Sequence, residues 1–154
     1  MSLYSAGGHA SAAGASEVVA CLWNPDTELV LKVWWVSFIH RQAPAALTSW
    51  ALQRATARGT PGATLTPDVD NHLNGRRAAP PSGALLDLGD YTTNATLDAS
   101  VLAQVPVGPV IANGHDWMFT NKPIVVPPGT GLALNQTTAN ALVNVHVTFG
   151  WEEG

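Results

Sequence analysis

Residues 141–151, ALVNVHVTFGW, carry the clearest secondary-structure pattern in this chain. Their apolar side chains recur at every second position from Ala141 to Trp151. Successive side chains of a β-strand point to opposite faces of a sheet, so this period of two predicts a strand with one buried face. The segment therefore contributes a row of side chains to a β-sheet core.

Residues 29–40, LVLKVWWVSFIH, form a second predicted strand that is rich in β-branched and aromatic residues. Trp34 and Trp35 are neighbours, so on a regular strand they face opposite sides, and both faces are apolar. A strand that is apolar on both faces is covered on both. We therefore expect Trp34 and Trp35 to take part in a subunit contact, because Trp is favoured in interface cores.

The rest of the chain consists of short apolar segments separated by Pro- and Gly-rich turns, without an extended helical stripe. This organisation predicts an all-β fold, an antiparallel β-sandwich or jelly roll, as a single domain over residues 17–154. Residues 1–16 are mostly Ser, Ala and Gly, which predicts a flexible N-terminal arm. Residues 57–83 are rich in Gly and Pro, which predicts one long loop that contacts a partner.

Composition excludes several classes of function. Hydrophobic residues make up 46% of the chain and charged residues 12%, so there is ample apolar surface to build a core. The net charge of −4 argues against a general nucleic-acid-binding surface. No apolar stretch is long enough to span a bilayer, so we expect no membrane partner. The single cysteine, Cys21, has apolar neighbours and is expected to be a buried, inert thiol.

Candidate catalytic and metal-binding patterns are weak. His115-Asp116 is the nearest approach to a catalytic pair, but no nucleophile accompanies it. The possible metal ligands match neither a calcium loop nor a His-x-His cupin arrangement. They are Asp68, Asp70, His72, His40 and His146. We therefore expect no enzyme, with no catalytic residues, no cofactor and no metal site.

Four segments in this order resemble a known group of proteins. They are Leu22-Trp23-Asn24-Pro25, residues 54–60 (RATARGT), residues 124–134 (IVVPPGTGLAL) and residues 145–153 (VHVTFGWEE). The chain resembles small tailed-bacteriophage virion proteins of the head decoration or cement type. The resemblance in layout covers most of residues 17–153, and its most specific motif is the turn PPGTGLAL at 127–134.

This resemblance implies a jelly-roll-like subunit, a homotrimer, bound to the outside of an icosahedral capsid. The partners would be the major capsid protein and further copies of the chain, and the protein would reside on the virion after synthesis in the host cytoplasm. Such proteins have no catalytic residues. We expect the arm 1–16 and the loop 57–83 to meet the shell, because ordering on binding lets a segment wrap its neighbours. The basic residues expected at that contact are Arg58, Arg76 and Arg77.

Two alternatives stay open on the sequence alone. A tail or fibre jelly roll that binds host carbohydrate would expose an aromatic groove, for instance Trp117 with Asp116 and Asn113. A cupin-type enzyme would hold a stoichiometric metal ion. Glycan binding would favour the first alternative, and metal analysis of the purified protein would decide the second.

Overall fold

The computed structural model describes residues 2–12, 17–68, 71, 73, 82–137 and 143–154. Over these ranges the regular structure is β-strand. The strands are β1 (Ser2–Ala12), β2 (Glu17–Trp23), β3 (Leu31–His40), β4 (Thr48–Ala57), β5 (Ala63–Leu65), β6 (Leu85–Leu88), β7 (Thr96–Val107), β8 (Gly114–Met118), β9 (Ile124–Val126), β10 (Gly131–Gln136) and β11 (Val143–Glu153). None of the described residues form a helix long and apolar enough to cross a membrane.

The strands form two antiparallel sheets that pack face to face. The front sheet has the order β1-β11-β3-β8, and β9 pairs with β3 beyond the end of β8. The back sheet has the order β5-β6-β2-β10-β4-β7. Early and late strands of the chain alternate along β1-β11-β3-β8 and along β2-β10-β4-β7, which is the interleaved strand order of a jelly roll, and β6 and β5 extend the back sheet beyond β2. The predicted all-β sandwich is therefore confirmed.

Strand β11 lies in the middle of the front sheet, between β1 and β3. Its alternation is the one that the sequence predicts: Val143, Val145, Val147 and Phe149 are buried, and Trp151 is buried with them. These side chains meet Leu132 and Leu134 of the back sheet and others in one continuous core. Residues 141 and 142 of the predicted strand lie outside the described residues.

Residues 2–12 were expected to belong to a flexible arm, and that expectation is wrong for this range. They form β1, which pairs with β11 along its whole length, from Ser2 opposite Glu153 to Ala12 opposite Val143. Tyr4 is completely buried and stacks on Trp151 with 5.8 Å between ring centroids. A strand of Ser, Ala and Gly has little apolar signal of its own, but here it is ordered by its partner strand and by one buried aromatic ring.

The small residues of β1 follow from close packing. A Cβ atom added at Gly8 would lie 2.5 Å from Cδ1 of Leu88, which belongs to the back sheet. A Cβ atom added at Gly7 would lie 2.5 Å from the backbone oxygen of Val147 on the neighbouring strand. Low complexity in this segment therefore reflects steric limits on both sides, since such distances leave no room for a side chain.

The predicted long loop 57–83 is partly regular. Strand β4 continues to Ala57, and β5 adds an outer strand to the back sheet next to β6. Further along, the backbone N–H of Leu73 donates to the oxygen of Leu3 (2.7 Å), and the Asn71 amide donates to the oxygen of Ser5 (3.0 Å). These bonds satisfy groups on the free edge of β1, where an open strand would otherwise be exposed.

Replacing Tyr4 by alanine tests whether β1 is part of the folded core. We expect Tyr4→Ala to lower the free energy of unfolding by about 3 kcal/mol or more, because a large buried aromatic ring is removed. The measurement is urea denaturation followed by circular dichroism. Ser5→Ala is the matched control on the opposite face of β1, and it should change stability far less. Equal stability of Tyr4→Ala and wild type would show that β1 does not contribute to the core.

Candidate interaction surface

A β-bulge in β3 turns two tryptophans to the same side of the front sheet. Val33 and Val36 are both completely buried in the core, although three positions separate them. In the pairing with β11, Trp35 lies opposite Gly150 and Val33 opposite Trp151, so Trp34 is an extra residue. The expectation that Trp34 and Trp35 face opposite sides is therefore wrong, because the inserted residue breaks the alternation.

Trp35 packs directly on the backbone of β11. A Cβ atom added at Gly150 would lie 2.0 Å from Cε2 and Cζ2 of the Trp35 indole. Only glycine at position 150 leaves space for the ring in this place. The indole therefore covers the outer surface of the sheet, on the side away from the core, and remains partly exposed.

Trp34 is held by a carboxylate on the same face. Its indole N–H donates to Oε2 of Glu152 at 3.2 Å, and Oε1 of Glu152 lies 3.8 Å from Nζ of Lys32. Glu152 is buried, whereas Lys32 is partly exposed. The lysine and the glutamate offset each other's charge, so this part of the surface presents aromatic rings with little net charge.

Two exposed aliphatic side chains extend the aromatic surface. Met118 is the cross-strand partner of Trp35 and is 65% exposed. Val125 is the cross-strand partner of Lys32 and is also exposed. We call Trp34, Trp35, Met118 and Val125 the tryptophan patch. A surface of this composition resembles the cores of protein interfaces, in which Trp and Met are enriched and charges are depleted.

The rest of the outer face of the front sheet carries two further rows of paired residues. The row next to Trp35 consists of Gly7, Thr148, Ser37 and Asp116 on four paired strands. The following row consists of His9, His146, Ile39 and Gly114. The first row thus carries small side chains and one aspartate, whereas the second carries the larger side chains of two histidines and an exposed isoleucine.

The outer face of the back sheet, in contrast, is closed by the chain itself. Ala133 lies between Leu132 and Leu134 of the main core, yet it belongs to a second apolar cluster on the other side of its sheet. Tyr91 and Ala95, from the segment between β6 and β7, take part in that cluster. Within the described part of the chain, no such cluster covers the outer face of the front sheet.

A second exposed apolar group lies at one end of the sandwich. Leu47 precedes β4, and Val110 and Ile111 follow β7, which pairs with the start of β4. All three are exposed, Ile111 by 61%. The backbone N–H of Ala112 donates to the oxygen of His40 at 2.8 Å, which ties this loop to the end of β3. We call Leu47, Val110 and Ile111 the end-loop patch.

Arg58, which the sequence suggested as a capsid contact, is engaged within its own chain. Its Nε and Nη2 donate to the two carboxylate oxygens of Asp87 at 2.7 and 2.6 Å, and Asp87 is completely buried. Thr64 also donates to Asp87, at 2.8 Å. The hydrogen bond to Asp87 raises the pKa of Arg58. This two-pronged pair joins the end of β4 to β5 and β6, and about a third of the Arg58 side chain remains accessible.

The other two basic residues of the prediction, Arg76 and Arg77, lie outside the described residues. The same holds for Asp70 and His72 of the weak metal pattern. Among the residues that the structure does describe, no group of three or more His, Cys, Asp or Glu side chains could hold a metal ion.

The remaining sequence candidates are not brought together. His115 and Asp116 lie on β8 and not in a turn, and the His115 ring meets the edge of Trp117 at 4.9 Å. Trp117 is buried against Phe38, so the proposed carbohydrate groove with Asp116 and Asn113 is not formed around it.

Two further titratable groups lie in the interior. His40 is buried with Nε2 3.3 Å from the hydroxyl of Thr48, and burial lowers its pKa. Burial raises the pKa of the Cys21 thiol, and the predicted buried thiol is confirmed.

The sequence missed the surface that the structure displays. The sequence analysis identified the two tryptophans, but it could not place them on one face, because that placement depends on the bulge at Trp34. The signal in the sequence that goes with the bulge is Gly150, which lies on the partner strand and is distant along the chain. A comparison with models of known protein families finds no match, and a comparison with curated proteins finds none either.

Replacing Arg58 distinguishes a structural role from a contact role. We expect Arg58→Gln to lower the free energy of unfolding of the isolated protein by about 2–3 kcal/mol. This is less than for a fully buried pair, because the arginine is partly solvated. Arg41→Gln, at an exposed arginine, is the control and should be nearly neutral. An unchanged melting temperature for Arg58→Gln would contradict the structural role.

Proposed function

We propose that this chain is a virion structural protein of the decoration or cement type, which assembles into a trimer and stabilises a phage head from outside. The observation that carries the proposal is the tryptophan patch on the uncovered face of the front sheet. The sequence resemblance supplies the particular setting, the outer surface of a capsid. The protein acts by burying surface against neighbouring molecules and not by chemical conversion.

The tryptophan patch supports association because it is energetically costly to leave in water. Burial of apolar surface is worth roughly 25 cal/mol per Å², and the large rings of Trp34 and Trp35 carry much of the apolar area here. Trp is also enriched among the few residues that dominate binding energy. Gly150 and Glu152 hold both rings in place before binding, so little side-chain entropy is lost on contact.

The presence of two unlike apolar patches supports a ring. A two-fold dimer uses the same patch on both subunits, whereas a head-to-tail contact joins two different patches and forms a ring when the rotation between subunits closes. The tryptophan patch and the end-loop patch differ in composition and in place, the first being dominated by aromatic rings and the second being aliphatic and at the end of the sandwich. We therefore pair the tryptophan patch of one copy with the end-loop patch of the next.

Attachment to a repetitive shell suits a chain of low charge. Each subunit of a trimer engages one of several equivalent capsid sites, and weak contacts are strengthened by their number. The part of the chain between β5 and β6 remains the proposed capsid contact, together with the accessible side of Arg58. Residues 2–12 do not wrap a neighbour as a flexible segment in this proposal, because they pair with β11.

The oligomeric state tests the tryptophan patch. We expect the wild-type protein to elute as a trimer in size-exclusion chromatography with light scattering, and Trp35→Lys to shift it to a folded monomer. Thr66→Lys adds the same charge at an exposed position just after β5 and should leave the trimer intact. A monomeric wild type, or a trimer that persists in Trp35→Lys and in Met118→Lys, would contradict the proposed contact.

The location of the chain in a particle tests the setting. Gold-labelled antibodies against the purified protein should bind the heads of phage particles that contain it, in electron micrographs. Labelling of tails or fibres, together with binding of the purified protein to a glycan array, would instead favour the carbohydrate-binding alternative. Absence of label from every particle would overturn the virion assignment.

A further inference from the structure

Two histidines meet on the outer face of the front sheet, outside the tryptophan patch. His9 on β1 and His146 on β11 are direct cross-strand partners. Their Nδ1 atoms lie 3.3 Å apart, and their ring centroids are 5.0 Å apart at an interplanar angle of 66°. The two residues are 137 positions apart in the sequence, so no metal-binding motif based on short ligand spacing could predict the pair.

The distance between the two nitrogens matches the bite of a tetrahedral metal ion. Zinc binds histidine nitrogen at about 2.0–2.1 Å, and two ligands at the tetrahedral angle are then roughly 3.3–3.4 Å apart. The geometry points to a transition-metal site at Nδ1 of His9 and Nδ1 of His146, for an ion such as Zn²⁺, Cu²⁺ or Ni²⁺. The remaining coordination positions are open to solvent.

The backbone holds both ligands in position before an ion arrives. The neighbouring residues on each strand form regular pairs, Gly8 opposite Val147 and Ala10 opposite Val145, and Val145 and Val147 are completely buried in the core. The imidazoles therefore project from two strands that cannot move apart without disrupting the sandwich. A preorganised pair of this kind loses little entropy on binding.

The surroundings determine which ions would be selected. An open groove of about 280 Å³ continues from His9 and is lined by Ser11, Arg41, Asp90 and Asn144. The positive charge of Arg41 repels any cation in this groove. The carboxylate of Asp90 also lines the groove, and its Oδ1 accepts a hydrogen bond from the Ser11 hydroxyl at 2.7 Å. Hard ions such as Mg²⁺ prefer oxygen ligands and gain nothing from two imidazoles, so selection favours the ions that imidazole binds well.

Isothermal titration of the untagged protein with ZnCl₂ at pH 7.5 tests the site. We expect one ion per chain in the wild type, and binding weaker by more than about tenfold in His9→Gln and in His146→Gln, since even changes behind a ligand cost 10- to 100-fold. His115→Gln removes a histidine on β8 and should bind as the wild type does. Arg41→Gln should bind more tightly, because a repelling charge is removed, and MgCl₂ should give no heat of binding.

A second measurement identifies the ligating atoms without relying on affinity. Long-range ¹H–¹⁵N correlation spectra of the imidazole rings should show Zn²⁺-dependent shifts at Nδ1 of His9 and His146. The same spectra of Trp35→Lys should be unchanged in this respect, because the site lies within one chain and does not require the trimer. Wild type without bound zinc, binding retained in His9→Gln, or shifts confined to other histidines would each overturn the proposal.

Discussion

The pairing of β11 with β1 and β3 is the constraint on which the rest of the structure depends. Its inner side chains build the front half of the core, and Trp151 there buries Tyr4 of β1. Its outer side supplies Gly150 beneath Trp35, Glu152 beside Trp34, and His146 opposite His9. One strand thus fixes both the stability of the sandwich and the chemistry of its exposed face, because successive side chains of a strand serve opposite sides.

The two sheets differ in how far the chain covers their outer faces. The segment between β6 and β7 covers the outer side of the back sheet with Tyr91 and Ala95, so β2 and β10 are buried on both faces. The outer side of the front sheet instead carries the tryptophan patch, a row of small and polar residues, and a row that contains two histidines. Apolar surface that the chain does not cover is unfavourable in water, and an exposed apolar patch is a feature of interaction sites.

The pair His9 and His146, for which we propose metal binding, and the tryptophan patch share that open face. The row of His9 and His146 lies two rows from the row of Trp35, which on an extended strand is roughly 13 Å. A neighbour seated on the patch would approach the histidines, and an ion held there has open coordination positions. The two features are nevertheless independent, because one depends on a bulge in β3 and the other on the register between β1 and β11.

The sequence by itself determined the fold class, because the strict alternation around residues 143–149 and the dense turn residues are local properties that a two-layer β-structure must have. It also identified Cys21 as buried and the tryptophans as surface candidates. The tertiary structure decided the rest. Strand β1 is ordered by distant residues, the bulge at Trp34 is recognisable only against Gly150, and His9 meets His146 only through pairing of strands far apart in the chain. Arg58 likewise forms its ion pair with Asp87 because the end of β4 lies close to β5 and β6 in the folded chain. Such relations depend on register and on close approach between segments, and neither is encoded in the local pattern of apolar residues.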